Sequence, residues 1–182
     1  FNLQIIDKKN EYIIFKPEIP WYGLEEQIKL PKLLNDLQPD LVHFPHFNIP
    51  YFYGGKFVVT IHDLIHQHFS MQRSTTHGAV MHKIKQAAYK KIFSNALTKS
   101  SAILVPSNFV KSQLSDEWKI DREKIVVTPE AVDEKFKTIK ATKKLNFPFI
   151  FYVGNAHPHK NIEGLIKVFL IQTKRTIFFQ ID

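Results

Sequence analysis

Cysteine is absent from the 182-residue sequence. Disulfide bonds, thiolate nucleophiles and the common cysteine-based zinc sites are therefore excluded as sources of stability or activity. The absence fits a reducing compartment, and we expect a cytoplasmic protein. No segment reaches the ~18 uninterrupted apolar residues of a membrane-spanning helix, so the sequence predicts no such helix.

Acidic residues are missing from the middle of the chain, between Leu64 and Ser115. The chain carries a net charge of +8, to which this interval and a second basic run at 135–144 contribute. Such a surface attracts phosphate-bearing partners, which include anionic lipid headgroups, sugar nucleotides and nucleic acids. The simplest alternative is a solvated lysine face. The basic residues of the interval are Arg73, Lys83, Lys85, Lys90, Lys91, Lys99 and Lys111.

Short apolar segments bounded by proline or glycine alternate with longer amphipathic stretches. This alternation predicts strands and helices in turn, and hence an α/β fold with a parallel sheet that helices cover on both faces. The longest helix is expected at 77–98, where apolar residues recur at every fourth position. The other helices are expected from Pro31, from Ser107 as N-cap to Trp118, and at 161–169. The strands are expected at 12–15, 40–44, 57–61, 102–105, 125–127 and 149–153.

Polar clusters follow four of these strands, which is where ligands bind in parallel α/β sheets. The second cluster, His62-Asp63, fits an acid–base pair, a metal pair or a histidine hydrogen-bonded at a strand end. His66 and His68 could join His62 as metal ligands, but no carboxylate or thiol is spaced to complete the set, so we expect no metal. The four clusters are residues 43–46, His62-Asp63, Ser107-Asn108 and residues 154–161.

The last cluster contains Gly154 and Lys160 ahead of a predicted helix. Glycine lets the backbone approach a ligand closely, and the start of a helix offers unpaired N–H groups. A lysine at that position suits a diphosphate. The spacing is not that of a Walker A loop, so an ordinary turn with a surface lysine is the alternative. Ser107 lacks the G-x-S-x-G environment of a nucleophile and fits a helix cap better.

The order and spacing of these pieces resemble glycosyltransferase family 4 over about 13–169. The resemblance implies a GT-B architecture, in which two Rossmann-like domains enclose the active site. Here they would be an acceptor-side domain at 1–134, a linker at 135–147 and the start of a donor-binding domain at 148–182. The matching segments are Glu26-Gln27-Ile28 with Leu30-Pro31, residues 39–43, 58–64, 105–111 and 125–133, Tyr152-Val153-Gly154-Asn155, Pro158 and Lys160-Asn161.

The resemblance also implies roles for individual residues. His62 would face the transferred sugar, and Lys160 would neutralise the diphosphate leaving group. His159 stands where many relatives carry arginine. The resemblance further implies substrate contacts for Gly154, Asn155, His159, Asp63 and Ser107.

The implied reaction is the transfer of a hexose, mannosyl or glucosyl, from a sugar nucleotide to a glycan or lipid-linked acceptor with retention. No metal or cofactor is expected. The basic helix at 77–98 suits peripheral contact with an anionic membrane, and no nucleic acid is expected as a partner. The alternatives are a basic nucleic-acid-binding α/β module and a degenerate, non-catalytic remnant of a glycosyltransferase.

Two parts of the family pattern are not found in the sequence. The first strand with its glycine-rich loop would precede Phe1, and the paired glutamates of the donor domain would follow Asp182. The chain also begins with Phe1 rather than Met. We therefore expect a truncated chain that is inactive by itself.

Overall fold

The computed structural model describes residues 3–6, 12–15, 19, 23–65, 79–138 and 149–173. His66, His68, Arg73 and most of the predicted linker lie outside these residues. The chain divides into two compact units, Phe1–Ala131 and Val132–Asp182. Each unit is described by itself below.

The first unit contains a four-stranded sheet and its helices. Strands β1 (Leu3–Ile6) and β2 (Tyr12–Phe15) pair with each other in an antiparallel arrangement. The remaining elements, in chain order, are α1 (Leu24–Leu37), β3 (Val42–Phe44), β4 (Phe57–Thr60), α2 (Ala79–Lys99), β5 (Ala102–Val105), α3 (Asn108–Trp118), a 3₁₀ turn (Arg122–Lys124) and β6 (Ile125–Val127).

The sheet is parallel throughout, with the strand order β3-β4-β5-β6. Its register aligns one row of side chains across all four strands: Phe44, Val59, Ile103 and Ile125. All four side chains are buried. This sheet and its flanking helices confirm the predicted α/β class with a Rossmann-like parallel sheet. The β-branched and aromatic residues of the short strands favour such pairing.

Burial alternates along these strands. Phe57 and Val59 are buried in β4, while Val58 and Thr60 are half-buried. The alternation arises because successive side chains of a strand point to opposite faces of the sheet. The inner face shares one hydrophobic cluster with residues of the helices, which are Leu30, Leu34, Phe93, Ala96, Leu97, Val110 and Leu114.

Helix α1 begins at Leu24, so the prediction that it starts at Pro31 is wrong; the proline lies inside the helix. Proline lacks the N–H that would bond to the carbonyl of Gln27, which by itself disfavours an interior position. Burial of Leu30 and Leu34 favours the longer helix, as do two glutamates, Glu25 and Glu26, near its positive end.

Helix α2 is confirmed nearly as predicted. Its C-terminal half enters the core through Phe93, Ala96 and Leu97. Beyond the last turn, the Lys124 ammonium donates hydrogen bonds to the carbonyls of Leu97 and Thr98, at 2.7 and 2.9 Å. These bonds satisfy carbonyls that a helix end leaves without an intrahelical partner. Among the described residues, no helix combines the length and the hydrophobicity needed to cross a bilayer.

The second unit contains α4 (Glu134–Thr138), a 3₁₀ turn (Pro158–Lys160) and α5 (Ile162–Thr173). Residues 149–153 do not form the predicted strand. A strand is defined by its hydrogen-bonded neighbour, and within 149–173 no second extended segment pairs with this one. Its apolar side chains are exposed.

Candidate functional site

The candidate site of the first unit lies at the carboxyl edge of the parallel sheet. Because β3 to β6 all run in the same direction, the segments that follow them meet at one edge. These segments carry polar side chains that contact one another, and the central residue among them is His62.

The His62 ring links the segments that follow three of the strands. Its Nδ1 atom lies 2.7 Å from Oε1 of Glu130, which follows β6. Its Nε2 atom lies 3.1 Å from the backbone carbonyl oxygen of Pro45, which follows β3. His62 itself comes two residues after β4. Its side chain is 48% exposed and that of Glu130 is 67% exposed, so solvent reaches the pair.

A second histidine, His43, has a different environment. Its Nε2 atom lies 2.8 Å from the hydroxyl oxygen of Thr60, at the end of the neighbouring strand. Desolvation by burial lowers the pKa of His43 below its ordinary value. The sheet therefore favours a neutral His43 ring, since no carboxylate partner offsets the loss of solvation among the contacts found for it.

Glu130 is the residue of this site that sequence reasoning missed. It stands three residues after β6, directly behind Pro129, so it obeys the same rule that singled out His62. The position of Glu130 behind β6 is thus visible in the sequence, although the family resemblance implies no role for it. Knowing that Glu130 reaches His62 requires the strand order, because β5 lies between β4 and β6.

Asp63 and Ser107 each make a local backbone contact. Oδ1 of Asp63 accepts a hydrogen bond from the backbone N–H of Ile65 at 2.9 Å, which stabilises the turn after β4. The Ser107 hydroxyl oxygen accepts from the N–H of Val110 at 3.4 Å, and this confirms Ser107 as the N-cap of α3. A substrate contact by either residue stays a prediction.

The first turn of α1 holds the loop that contains the Pro45 carbonyl. Oε1 of Gln27 accepts from the backbone N–H of Tyr51 at 2.7 Å. The amide of Asn48 donates to Oε2 of Glu26 at 3.1 Å, and this glutamate is buried. Both bonds join α1 to residues 48–51, so α1 fixes the path of the chain between β3 and β4.

The second unit carries the other predicted site residues, and its turn at 152–155 is locally fixed. The Tyr152 hydroxyl donates to the Asn155 carbonyl at 2.9 Å. Gly154 has a φ of +142°, a backbone conformation that side chains other than glycine's rarely adopt. A Cβ atom there would also lie only 3.0 Å from the Tyr152 hydroxyl oxygen. Glycine is therefore required for this turn.

Lys160 ends the 3₁₀ turn that precedes α5. Asn161 follows in the left-handed conformation, with a φ of 49°, and its carbonyl accepts from the N–H of Leu165. The rings of His157 and His159 stack, with centroids 5.7 Å apart. The Lys160 side chain is exposed. The turn thus stacks two imidazoles ahead of α5, and an exposed lysine follows them in the sequence.

The predicted site residues are divided between the units: His62, Asp63 and Ser107 belong to the first, and Gly154, Asn155, His159 and Lys160 to the second. In the part of the chain that the structure describes, no group of three His, Asp or Glu side chains is arranged to hold a metal ion.

Comparison with known protein families gives a match to the family model described as Glycosyltransferase Family 4, over residues 4–136. The match covers well over half of the chain. It includes the whole parallel sheet and the residues His62, Ser107 and Glu130, and it ends before the turn that carries Gly154. No curated protein matches the chain.

Proposed function

The chain belongs to glycosyltransferase family 4, and from this we propose that it serves in the transfer of a hexose from a sugar nucleotide to a glycan or lipid-linked acceptor, with retention. This proposal rests on membership of the family. It is supported by His62, which the segments after β3 and β6 hold at the carboxyl edge of the sheet.

Lys160 is the proposed partner of the leaving group. Departure of a nucleoside diphosphate builds negative charge on its oxygens, and a fixed cation beside them lowers the barrier. Lys160 is exposed and lies two residues before the start of α5, whose first N–H groups also favour an anion. The constrained turn at Gly154 and the neighbouring Asn155 and His159 would complete the donor contacts. A cation and a helix start can do this without a metal, so we propose no metal requirement.

His62 is the proposed contact to the transferred sugar. Its ring is half-exposed and is held from two directions, by Glu130 and by the carbonyl of Pro45. A side chain held in this way is positioned before the reaction begins and need not reorganise during it. Asp63 and Ser107 would lie beside the substrate.

A turnover assay with a panel of sugar nucleotides tests the proposal. The assay should measure product formation with and without acceptor. We expect His62→Ala and Lys160→Ala each to lower the rate by more than ~100-fold, the scale of losing one preorganised charge-stabilising group. Lys167→Ala, which removes another exposed lysine of the second unit, should leave the rate near normal. Near-normal rates in both site variants would remove the assignment.

Peripheral contact with an anionic membrane is the second part of the proposal. The ammonium groups of Lys91 and Lys99 lie 5.2 and 5.4 Å from the centroid of the Tyr51 ring. The adjacent Phe52 is 76% exposed. A large exposed ring beside clustered lysines suits the boundary between lipid headgroups and acyl chains.

Vesicle sedimentation tests this contact. The protein should sediment with phosphatidylglycerol vesicles and not with phosphatidylcholine vesicles. Replacing both Lys91 and Lys99 by alanine should weaken binding by roughly tenfold or more, since each lysine near an anionic surface contributes about 1 kcal/mol. The control is the double alanine variant of Lys32 and Lys119, which removes the same charge from other exposed positions. Equal binding of the two double variants would contradict the proposal that Lys91 and Lys99 contact the membrane.

A further inference from the structure

Phe109 is a large apolar side chain exposed at the carboxyl edge of the sheet. It is the second residue of α3, which follows β5, and it is 71% exposed. A single exposed apolar side chain needs no functional explanation by itself. For Phe109, its position and its fixed backbone provide one. Exposed polar residues also follow the strands at this edge: His46, His62, Asp63, Asn108 and Glu130.

The segment that follows β5, and carries this ring, begins next to His62. The backbone N–H of Ile61 donates to the carbonyl of Leu104 at 2.9 Å, which places the residue before His62 beside the end of β5. On the other side, the N–H of Thr128 donates to the carbonyl of Val105 at 2.8 Å. Since β5 lies between β4 and β6, the chain leaves β5 between His62 and its partner behind β6.

The first turn of α3 fixes the backbone of Phe109. The Ser107 hydroxyl oxygen accepts from the N–H of Val110 at 3.4 Å, and the Val110 side chain is buried. The Lys111 ammonium donates to the carbonyl of Ile125 at 2.6 Å, which ties this turn to β6. Side chains of an α-helix tilt towards its N-terminus, and α3 begins at the carboxyl edge of the sheet. The helix therefore presents the Phe109 ring to solvent at that edge.

Polar groups at the same edge suit the hydroxyl groups of a sugar. Asn108 is exposed, and its amide can both donate and accept. Asp63 is exposed as well; one of its oxygens accepts from the N–H of Ile65, and a carboxylate has a second oxygen that can accept. A pyranose carries hydroxyl groups around its rim and C–H groups on its faces. Ligand sites combine apolar surface with a few polar groups that fix orientation, and this edge offers both.

We propose that a sugar ring of the acceptor stacks on Phe109, which makes this residue a determinant of acceptor specificity. The face of an aromatic ring is electron-rich, so it attracts the weakly positive C–H groups of a pyranose. This role rests on the proposed function, in which His62 contacts the transferred sugar. The acceptor oxygen must reach the carbon of that sugar at which transfer occurs. The acceptor therefore binds beside His62, and Phe109 lies on the neighbouring segment.

Saturation-transfer NMR on the full chain tests this contact without any turnover. The probes are maltose, cellobiose and a mannobiose. With at least one of them, saturation should reach the C–H protons of a sugar ring in the unsubstituted protein. Phe109→Leu keeps an apolar side chain and removes the ring, so it should weaken the binding of that disaccharide roughly tenfold, the upper scale of an aromatic contact. Phe109→Tyr keeps the ring and should retain the binding.

The control is Phe136→Leu, which removes an exposed phenylalanine of the second unit. It should bind the disaccharide as the unsubstituted protein does. The proposal would be overturned if none of the three disaccharides bound, if Phe109→Leu bound as well as the unsubstituted protein, or if Phe109→Tyr lost binding to the same extent as Phe109→Leu.

The turnover assay separates this role from the proposed function. Removal of a contact that holds the acceptor equally well before and during transfer raises KM more than it lowers kcat. Phe109→Leu should therefore raise KM for the acceptor roughly tenfold, with a smaller change in kcat. A fall in kcat with KM unchanged would overturn the proposal. Disaccharide binding that depends on Phe109, in a protein without turnover, would count against the proposed function alone.

Discussion

Two histidines at neighbouring strand ends show how far one residue type depends on its surroundings. His43 lies within β3 and contacts a hydroxyl, and burial lowers its pKa. His62 lies beyond β4, half-exposed, between a carboxylate and a carbonyl. In the sequence both are histidines at the carboxyl ends of predicted strands. Only the contacts distinguish a ring beside a hydroxyl, whose pKa is lowered by desolvation, from a ring held between acceptors.

At this scale we predict that His43 makes the fold sensitive to acid. Its folded-state pKa lies below the ordinary value of 6.5, so between these two values the unfolded chain binds more protons. The associated stability is therefore fully present above about pH 6.5 and is lost as the pH falls through the folded-state pKa. His43→Gln keeps a polar partner for Thr60 and removes the titration. Urea unfolding at several pH values should show that acidification lowers the free energy of unfolding of this variant less than that of the unsubstituted protein.

The control for this prediction is His157→Gln, which removes an exposed histidine of the second unit. In this variant the free energy of unfolding should fall with pH as it does in the unsubstituted protein. If His43→Gln and the unsubstituted protein lost stability in parallel on acidification, the account of His43 would be wrong.

The sequence located His62 and Ser107 because each follows an apolar segment, His62 directly behind Ile61 and Ser107 behind Pro106. It did not assign a role to Glu130. The His62–Glu130 contact joins residues that are 68 positions apart, and it depends on β5 lying between the strands that carry them. Local spacing contains no information on that order. The lowered pKa of His43 also depends on desolvation in the folded chain, of which the sequence alone gives no measure.

At the scale of elements, interior packing overrides local preference. α1 continues through Pro31 because Leu30 and Leu34 are buried on either side of it. Residues 149–153 have the composition of a strand and still form none, because strand formation requires a neighbour. The boundaries of β5, α3 and β6 were predicted within a residue, since proline or a capping serine marks their ends.

The capping serine of α3 provides the prediction at this scale. Ser107→Ala removes the acceptor for the N–H of Val110 and should lower the free energy of unfolding by about 1 kcal/mol. Ser107→Asp retains an acceptor at the N-cap and should restore most of that loss. Chemical denaturation of the two variants measures the difference. Equal stability of the alanine and aspartate variants would show that the cap contributes nothing.

At the scale of the whole molecule, the hydrophobic core belongs to the first unit. The buried apolar residues run from Leu30 to Ile125, and the family match covers nearly the same part of the chain. The second unit exposes large apolar side chains instead, among them Phe149, Phe151 and Val153. Exposed apolar clusters of this kind bind other apolar surfaces.

We therefore predict that residues 1–131 fold without the second unit. Deleting 132–182 should change the melting temperature by only a few degrees, because none of the described residues of this segment belongs to the buried core. It should also lower the binding of a hydrophobic dye such as ANS, since the exposed apolar residues leave with the deleted segment. Loss of the cooperative transition on deletion would show that the second unit is needed for the core.

The central claim is that His62 and Lys160 are both needed for the proposed sugar-nucleotide turnover. The turnover rates of His62→Ala and Lys160→Ala test it most directly. We predict that each substitution lowers the rate by more than ~100-fold, the scale of losing one preorganised charge-stabilising group. A near-normal rate in either variant would contradict the claim.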